Sequence, residues 1–397
     1  MQKDKFLNSL SEDWNNVSEI VVFGFGRTAI RNVDKLAQDF KIAMIVDNDP
    51  QIHGKKYRNC EVLSFEEVKD KIQNKKIVVA TSSVAYAEIS EQLKSIGMQE
   101  NIDFCRLKDF MAEWYWKNRK QVCLSQTFSS ITSKQNRFFH HFYISFSANQ
   151  YYIAVFHFLA KNELKNHYEY NANDILEDFD YYFKVVDYVA SWSIMGGEPL
   201  LNKELSRIVE RVHQKYHSKI GYIQVISNGT ILPDTELIST MQKCNVRMRL
   251  SDYTHVIPYN EKLQQVKECL EENGIPYDMS VYTQWYDLGV RSDVIPAFRD
   301  EEKIKKHMRL CATGCHQLND RRFYFCGQGF ARSKKGLCTL KEGDFIELQK
   351  CTGSVEDKEL MLKYCMGYPP KGYISVCGTC YGMGKDNDRV VGVAEQM

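Results

Sequence analysis

The sequence predicts an α/β protein in three parts, on three observations. Short apolar runs alternate with stretches of helical periodicity from the N-terminal region to about residue 305. A chain of 397 residues exceeds what one ordinary core accommodates, so two or three domains are expected. From Met308 onward the alternation stops, and eight of the thirteen cysteines fall between Cys311 and Cys380. The expected parts are residues 1–119, 120–307 and 308–397.

In the first part, "EIVVFGFGRTAIRNVDKLAQ" reads as a buried strand, a glycine turn and a helix with apolar positions at Ile30, Val33 and Leu36. "KIAMIVDND" is a second strand and "KKIVVATSS" a later one. Strand and helix in regular alternation imply a parallel sheet and a Rossmann-like domain. The turn supplies Gly24, Gly26 and Ala29 in G-x-G-x-x-A spacing, with Asp47 at the end of the next strand. Glycines let backbone approach a pyrophosphate, a helix N-terminus adds partial positive charge, and the carboxylate can take a ribose hydroxyl. A tight strand-to-helix turn with no ligand explains the same residues, and both readings stand at this point.

The second part repeats the alternation at a longer period. Strands are expected at "VCLSQTFSSIT", "ASWSIMGG", "YIQVISNG", "VRMRLSDY" and "YDMSVYT", and helices at "DILEDFDYYFKVVDYV" and "KELSRIVERVHQKY". Leu205, Ile208, Val209 and Val212 form one helical stripe that packs on a sheet. Five or six such units in order imply a full or partial parallel barrel, with its chemistry at the C-terminal ends of the strands.

The tail carries "CATGCHQLNDRRFYFCGQGF" and "YISVCGTCYGM". Cys377 and Cys380 form a CxxC knuckle that aims two sulfurs at one metal, and Cys315 and Cys326 bracket an expected hairpin, "HQLNDRRFYF". Four sulfurs from two such elements make a closed site, with Cys311 competing for one position. Either an iron–sulfur cluster or zinc suits four thiolates, and unliganded thiols in a reducing compartment are the remaining reading.

Bulk properties exclude some functions. Lys+Arg 52 against Asp+Glu 51 leaves a formal charge of +1, too little to draw the chain to nucleic acid or anionic lipid. The start, "MQKDKFLNSLSEDWNN", is charged where a signal peptide is apolar, and runs such as "YYIAVFHFLA" are too short to span a bilayer. A cytoplasmic location without a membrane partner is expected.

Two resemblances add to this reading. Through "VVFGFGR", "IVDNDPQIHGKKYRNCEV" and "IVVATSS", the first part resembles the N-terminal domains of sugar-nucleotide acyltransferases. That implies a nucleotide-sugar pocket at Gly24, Gly26, Arg27 and Asp47. Through "IMGGEPLLNKEL", "VISNGTILP" and "LSDYTH" at successive strand ends, the second part resembles the radical S-adenosylmethionine superfamily. The resemblance implies a partial (β/α)6 barrel in which Gly196, Gly197, Glu198 and Pro199 hold the amino group of S-adenosylmethionine, and Ser227, Asn228 and Ser251 complete the cofactor site. The tail resembles the SPASM or twitch domain, which implies an auxiliary [4Fe-4S] cluster on Cys315, Cys326, Cys377 and Cys380. "QWYDLG" and the terminal "GVAEQM" resemble a subgroup associated with surface-glycan pathways.

The chain departs from this family at one place. The family's CxxxCxxC loop holds three irons of a catalytic cluster, and aligning from "ITSK" puts Gln135, Phe139 and Phe142 at those positions. Aligning from "NQYY" puts Phe138, Phe142 and Ser145 there, and no cysteine occurs between Cys123 and Cys244. Phe fills a cavity with about 150–250 Å² of apolar surface and ligates nothing. His140 and His141 are adjacent and point in different directions on any regular backbone, which makes them a poor replacement. The expectation is therefore a relative that does not split S-adenosylmethionine by the usual route. It retains a cofactor or substrate pocket, works with a catalytic protein partner, or serves a nucleotide-sugar substrate through its first domain. An active enzyme with a non-standard cluster site is the alternative.

Overall fold

The computed structural model describes residues 9–133, 143–145, 152–154, 170–196, 198–288, 300–311, 316–334, 338–382, 387 and 389–392. It divides into two compact units, residues 1–126 with 186–190 and residues 127–185 with 191–397. The architecture is α/β in both.

The first unit runs β1 (Glu19–Phe23), α1 (Arg27–Asp39), β2 (Lys41–Val46), β3 (Lys56–Tyr57), β4 (Cys60–Leu63), α2 (Phe65–Val68), β5 (Ile77–Val79), α3 (Ser83–Ser95), β6 (Phe104–Arg106) and α4 (Leu107–Arg119). Its sheet has the order β3-β4-β2-β1-β5-β6, parallel except for the short β3–β4 pair. Sequence order therefore reverses between β1 and β5, the position where doubly wound sheets bind ligands. Val21, Val22, Phe23, Val78 and Val79 are buried on the two faces, as a strand covered on both sides requires. Helix α1 buries Ala29, Asn32, Val33 and Leu36, whereas Ile30 is 41% exposed, so the buried stripe is rotated from the expected one. Asn32 occupies the inner position because its amide donates to the carbonyls of Thr28 and Ser125.

The second unit opens on β7 (Cys123–Ser133) and continues through β8 (Tyr143–Ser145), β9 (Tyr152–Ala154), α5 (Ala172–Val185), β10 (Tyr188–Gly196), α6 (Leu205–Tyr216), β11 (Ile220–Ser227) and α7 (Thr235–Lys243), the first residues of β7 and of β10 belonging to the first unit. Next come β12 (Arg247–Asp252), α8 (Asn260–Glu272), β13 (Tyr277–Val281), β14 (Gln284–Asp287), α9 (Glu301–Leu310), β15 (His316–Asn319), β16 (Arg322–Tyr324), α10 (Gly327–Lys334), β17 (Phe345–Glu347), α11 (Val355–Cys365) and β18 (Val390–Gly392). One sheet has the order β13-β12-β11-β10-β7-β15-β16-β17, and a smaller one β18-β14-β9-β8. Strands β7 and β10 to β13 are neighbours in sequence order, as a barrel sheet requires, and the β15–β16 hairpin continues the sheet beyond β7. Strands from both sides of residue 308 thus share one sheet.

The helix expected to reach Val189 ends at Val185, and β10 begins at Tyr188. The run "VVDYVASW" has no periodicity to mark that change, and a fully buried strand reads the same as a buried helix. The two faces of the main sheet differ. Trp192 and Phe128 pack on Phe179 of α5 at ring distances of 4.7 and 5.4 Å, forming an aromatic layer under the helices. The opposite face is polar. Thr127 bonds Ser191 at 2.6 Å, Gln224 donates to Ser193, and Ser129 donates to Gln317 at 2.8 Å.

Candidate functional site

At the end of β10, Gly196 is the last strand residue, Gly197 lies outside the described residues, and the buried Pro199 starts a 3-10 turn to Leu201. Glu198 is 1% exposed. Its Oε2 accepts from the backbone N–H of Asn228 at 2.9 Å and its Oε1 from that of Leu200 at 3.2 Å. The GGEP turn and the end of β11 therefore meet through one carboxylate. Burial pushes Glu198 up to about 7 despite those donors and the Ser227 hydroxyl, because a carboxylate without solvent favours its neutral form. Those three donors use three of a carboxylate's four acceptor sites, and its charge when ionised is of the sign that suits an ammonium group.

Ser227 is buried and its hydroxyl accepts from Gly229 N–H at 3.0 Å, while Asn228 Oδ1 accepts from Thr230 N–H at 2.9 Å. Gly229 has φ +71°, where glycine is favoured, and a Cβ there would sit 2.5 Å from Leu263 Cδ1, so any other residue needs that leucine to shift. Ser251, at the end of β12, is buried, and its carbonyl accepts from Tyr259 Oη at 3.2 Å. The strand-end positions chosen from the sequence thus form an ordered polar edge. Gln135, Phe138, Phe139, His140, His141 and Phe142 lie outside the described residues, and Ser145 closes β8.

In the tail, Cys311, Cys326, Cys377 and Cys380 line one cavity together with Leu288, His307 and Gln328. Cys315 lies outside the described residues, so Cys311 is the fourth described sulfur at this place. Three local features build the cavity. The hairpin turns on Asp320 and Arg321, both at positive φ (57° and 56°), the twist that matches antiparallel strands. It delivers Cys326 to the N-terminus of α10. Arg332, buried on that helix, donates to Thr379 O at 3.2 Å and Leu288 O at 2.8 Å, anchoring the turn that carries Cys377 and Cys380. Gly382, at φ +75°, leaves room for the His307 ring, which a Cβ would meet at 2.5 Å.

Burial pushes the Cys326 thiol up to about 12, with the Cys311 sulfur adding to it while a backbone N–H of Gln328 opposes it. Cys377 is also raised well above the ordinary thiol range, by burial first and then by Cys380, Cys311 and Cys326. Burial and the neighbouring sulfurs both disfavour the thiolate form of Cys326 and Cys377, a preference that a bound cation reverses. Gln328 is 1% exposed, and neither end of its amide makes a hydrogen bond among the described residues. A buried amide left open beside four sulfurs fits a group with acceptor atoms in the cavity. Among the described residues, no three His, Cys, Asp or Glu side chains stand at single-ion ligand geometry. The donor set fits a metal or cluster in kind, and Cys315 lies outside the described residues.

The hairpin has an anchor that sequence reasoning missed. Asp178 of α5, buried, accepts from Arg321 N–H at 2.5 Å, and burial pushes it up to about 7. Its only sequence signal is an acidic residue on the buried face of an aromatic helix.

In the first unit, Gly24 has φ +99°, and a Cβ there would lie 2.3 Å from Thr81 Cγ2, so this glycine is needed by the fold itself. Gly26 caps α1 at φ −80° with nothing within 4 Å of an added Cβ. Asp47 accepts from Phe25 N–H at 2.5 Å and from Asp49 N–H at 2.8 Å, so the carboxylate expected at a ribose is engaged in shaping the turn. Arg27 is the first residue of α1.

Residues 16–102 match the family described as C2185-like, N-terminal, a match confined to the first unit. No curated protein matches the chain. Among solved structures, RSP in complex with beta-NADH is 22% identical over 23% of this chain and 46% of its own, with a TM-score of 0.19. Streptococcus suis SuiB bound to precursor peptide SuiA is 11% identical over 50% of this chain and 52% of its own, with a TM-score of 0.25. The radical S-adenosylmethionine methyltransferase TsrM from Kitasatospora setae, with tryptophan substrate and a SAM analog bound, is 8% identical over 80% of this chain and 76% of its own, with a TM-score of 0.27. The chain spans about half the length of RSP and of SuiB. At these TM-scores none of the likenesses assigns a residue. Among the described residues, no helix is long and apolar enough to cross a membrane.

Proposed function

We propose that this chain is a relative of radical S-adenosylmethionine proteins. Its barrel edge binds S-adenosylmethionine or an amine-bearing substrate, its tail holds a thiolate-bound metal group, and it does not cleave the sulfonium. The carrying observation is the link of Glu198 to Asn228, which joins the "GGEP" and "SNG" strand ends through one buried carboxylate. Glu198 receives the ammonium group, and Ser227 and Asn228 keep the edge in shape. Cys311, Cys326, Cys377 and Cys380 hold the tail's group, an iron–sulfur cluster or zinc, with Cys315 as a further candidate. When bound, such a group supplies electron storage if it is a cluster and structural bracing if it is zinc. Without thiolates at the first loop, no cluster iron is held against the sulfonium, and surface-glycan chemistry alongside a catalytic partner is the context favoured by the motifs.

Incubating the anaerobically reconstituted chain with S-adenosylmethionine and dithionite tests this reading. Binding by calorimetry without release of 5'-deoxyadenosine is expected. Catalytic release of 5'-deoxyadenosine overturns the non-cleaving part, and absence of binding overturns the pocket.

A second reading, a nucleotide sugar in the first unit, is favoured by Gly26. Neither its φ nor its surroundings require glycine, which suits a backbone approached by a phosphate. Calorimetry with UDP-sugars on wild type and Gly26→Val separates it, since Val blocks the approach.

A further inference from the structure

We propose that the group held in the tail cavity is a net anion and that Arg332 is its built-in counter-ion, which favours the group's more negative state. The inference rests on the reading of the tail as a thiolate-bound metal site and goes beyond it in assigning the group's charge. Arg332 lies on α10, the helix that follows Cys326, and is 4% exposed. Its Nη1 donates to the carbonyl and the hydroxyl of Thr379, each at 3.2 Å, and its Nη2 to Leu288 O at 2.8 Å. Its Nε is buried and makes no hydrogen bond among the described residues. All these acceptors are neutral, yet a guanidinium keeps its proton in proteins and a buried charge is costly unless it is paired.

Among the described residues, no carboxylate forms an ion pair with Arg332. Asp344, buried in the tail, accepts from the backbone N–H groups of Lys341 and Ser375, at 2.8 and 2.6 Å. Asp320, at the hairpin turn, pairs with Lys334 and accepts from Tyr170 Oη at 2.9 Å. What stands close to the guanidinium is sulfur. Thr379, which it grips, sits between Cys377 and Cys380, and Leu288 lines the cavity with those sulfurs. The charge of Arg332 accordingly opposes the rise of the Cys326 and Cys377 thiols. Backbone donors act in the same sense: Gly382 N–H donates to Cys380 Sγ at 3.3 Å, and Gln328 N–H to the Cys326 sulfur. His307 also lines the cavity, but an imidazole is not a fixed charge near neutral pH. A divalent ion held by three or four thiolates is a net anion, and so is a doubly positive cluster core held by four. A buried cation beside such a group lowers the cost of adding an electron to a cluster, and of keeping thiolates ionised on zinc.

Redox and metal-release measurements on the full chain compare wild type, R332Q and R332K. After anaerobic reconstitution with iron and sulfide, a dithionite titration followed by visible absorption and electron paramagnetic resonance gives the reduction equilibrium. R332Q should shift it about tenfold toward the oxidised form, roughly 59 mV for a one-electron couple. R332K keeps the charge and should stay within about threefold of wild type. If the chain takes up zinc rather than iron, the same order is expected in the rate of zinc transfer to a chromophoric chelator, fastest from R332Q. Equal values in wild type and R332Q overturn the proposal. R332K matching a shifted R332Q overturns it too, because the arginine then acts only as a brace on the knuckle. A chain that binds neither iron nor zinc sinks the tail site itself, and the counter-ion with it. Should R332Q not fold, proton release is counted as zinc is titrated into the metal-free wild type. Three or four protons per zinc leave an anion and support the proposal, whereas two or fewer leave no anion and refute it.

Discussion

The edge of the main sheet and the cavity of the tail both gather residues distant in sequence, but they are completed differently. At the edge, each motif residue has a backbone partner: Glu198 takes Asn228 and Leu200, Ser227 takes Gly229, and Asn228 takes Thr230. In the cavity, the sulfurs repel one another when ionised, and the Gln328 amide stands open. Hydrogen bonds within a chain can shape a pocket without its ligand, whereas the sulfurs gathered in the tail cavity are proposed to be completed by a bound group. The edge is therefore expected to keep its form in the empty protein, and the tail to owe stability to what it binds.

The largest expected effect follows directly. Stripping metal, or substituting Cys326→Ser, should lower the stability of the hairpin and α10 by about 4 kcal/mol if metal is present at a thousandfold excess over its Kd. Hydrogen exchange should show lost protection there and none in the first unit. A stripped protein with unchanged exchange would mean that the tail's core, with Phe323, Leu318 and Tyr364 fully buried, is sufficient alone and the contrast fails.

Next is the hairpin anchor. Asp178→Ala removes the acceptor for Arg321 N–H and should cost roughly 1–3 kcal/mol, the penalty of an orphaned buried donor. Asp178→Asn keeps an acceptor and should cost less. It should also alter the pH dependence in a defined direction. A carboxyl raised to about 7 in the folded state, against about 4 unfolded, keeps its proton only when folded between those values, so stability falls as pH rises through that window. Denaturant titrations at pH 5 and pH 8 should show a smaller difference in Asp178→Asn than in wild type. An equal difference would place Asp178 outside the titration.

These elements were unequally legible in the sequence. Strand ends carrying "GGEP" and "SNG" could be placed because short apolar runs bounded by glycine fix strand position, and parallel neighbours bring successive ends together. The cysteine knuckle and hairpin were readable from spacing alone. Arg332 was not, because "GFARSKKG" reads as a basic stretch facing solvent; only the fold reveals that its arginine is buried against residues 44 and 47 positions away. Asp178 was hidden for a related reason, since its partner lies 143 residues away. Ile30 misled because a strong stripe can be drawn through it, while the helix buries Asn32 instead, whose amide satisfies two carbonyls.

The smallest effect probes the edge itself. Glu198→Gln retains a carbonyl acceptor but turns an amide N–H₂ toward one of two backbone donors, so a stability loss of about 1 kcal/mol is expected at pH 5. At pH 8 the comparison should narrow or invert. Wild type holds a carboxyl raised to about 7 that must ionise in a buried place, whereas Gln carries no charge at any pH. Ligand binding should respond in the opposite sense. Only the carboxylate pairs with an ammonium group, so amine affinity in wild type should rise as pH passes through about 7, while in Glu198→Gln it should stay flat and weak. An amine affinity equally pH-dependent in both proteins would assign the titration to another group and leave Glu198 as a brace between two strand ends rather than a receptor.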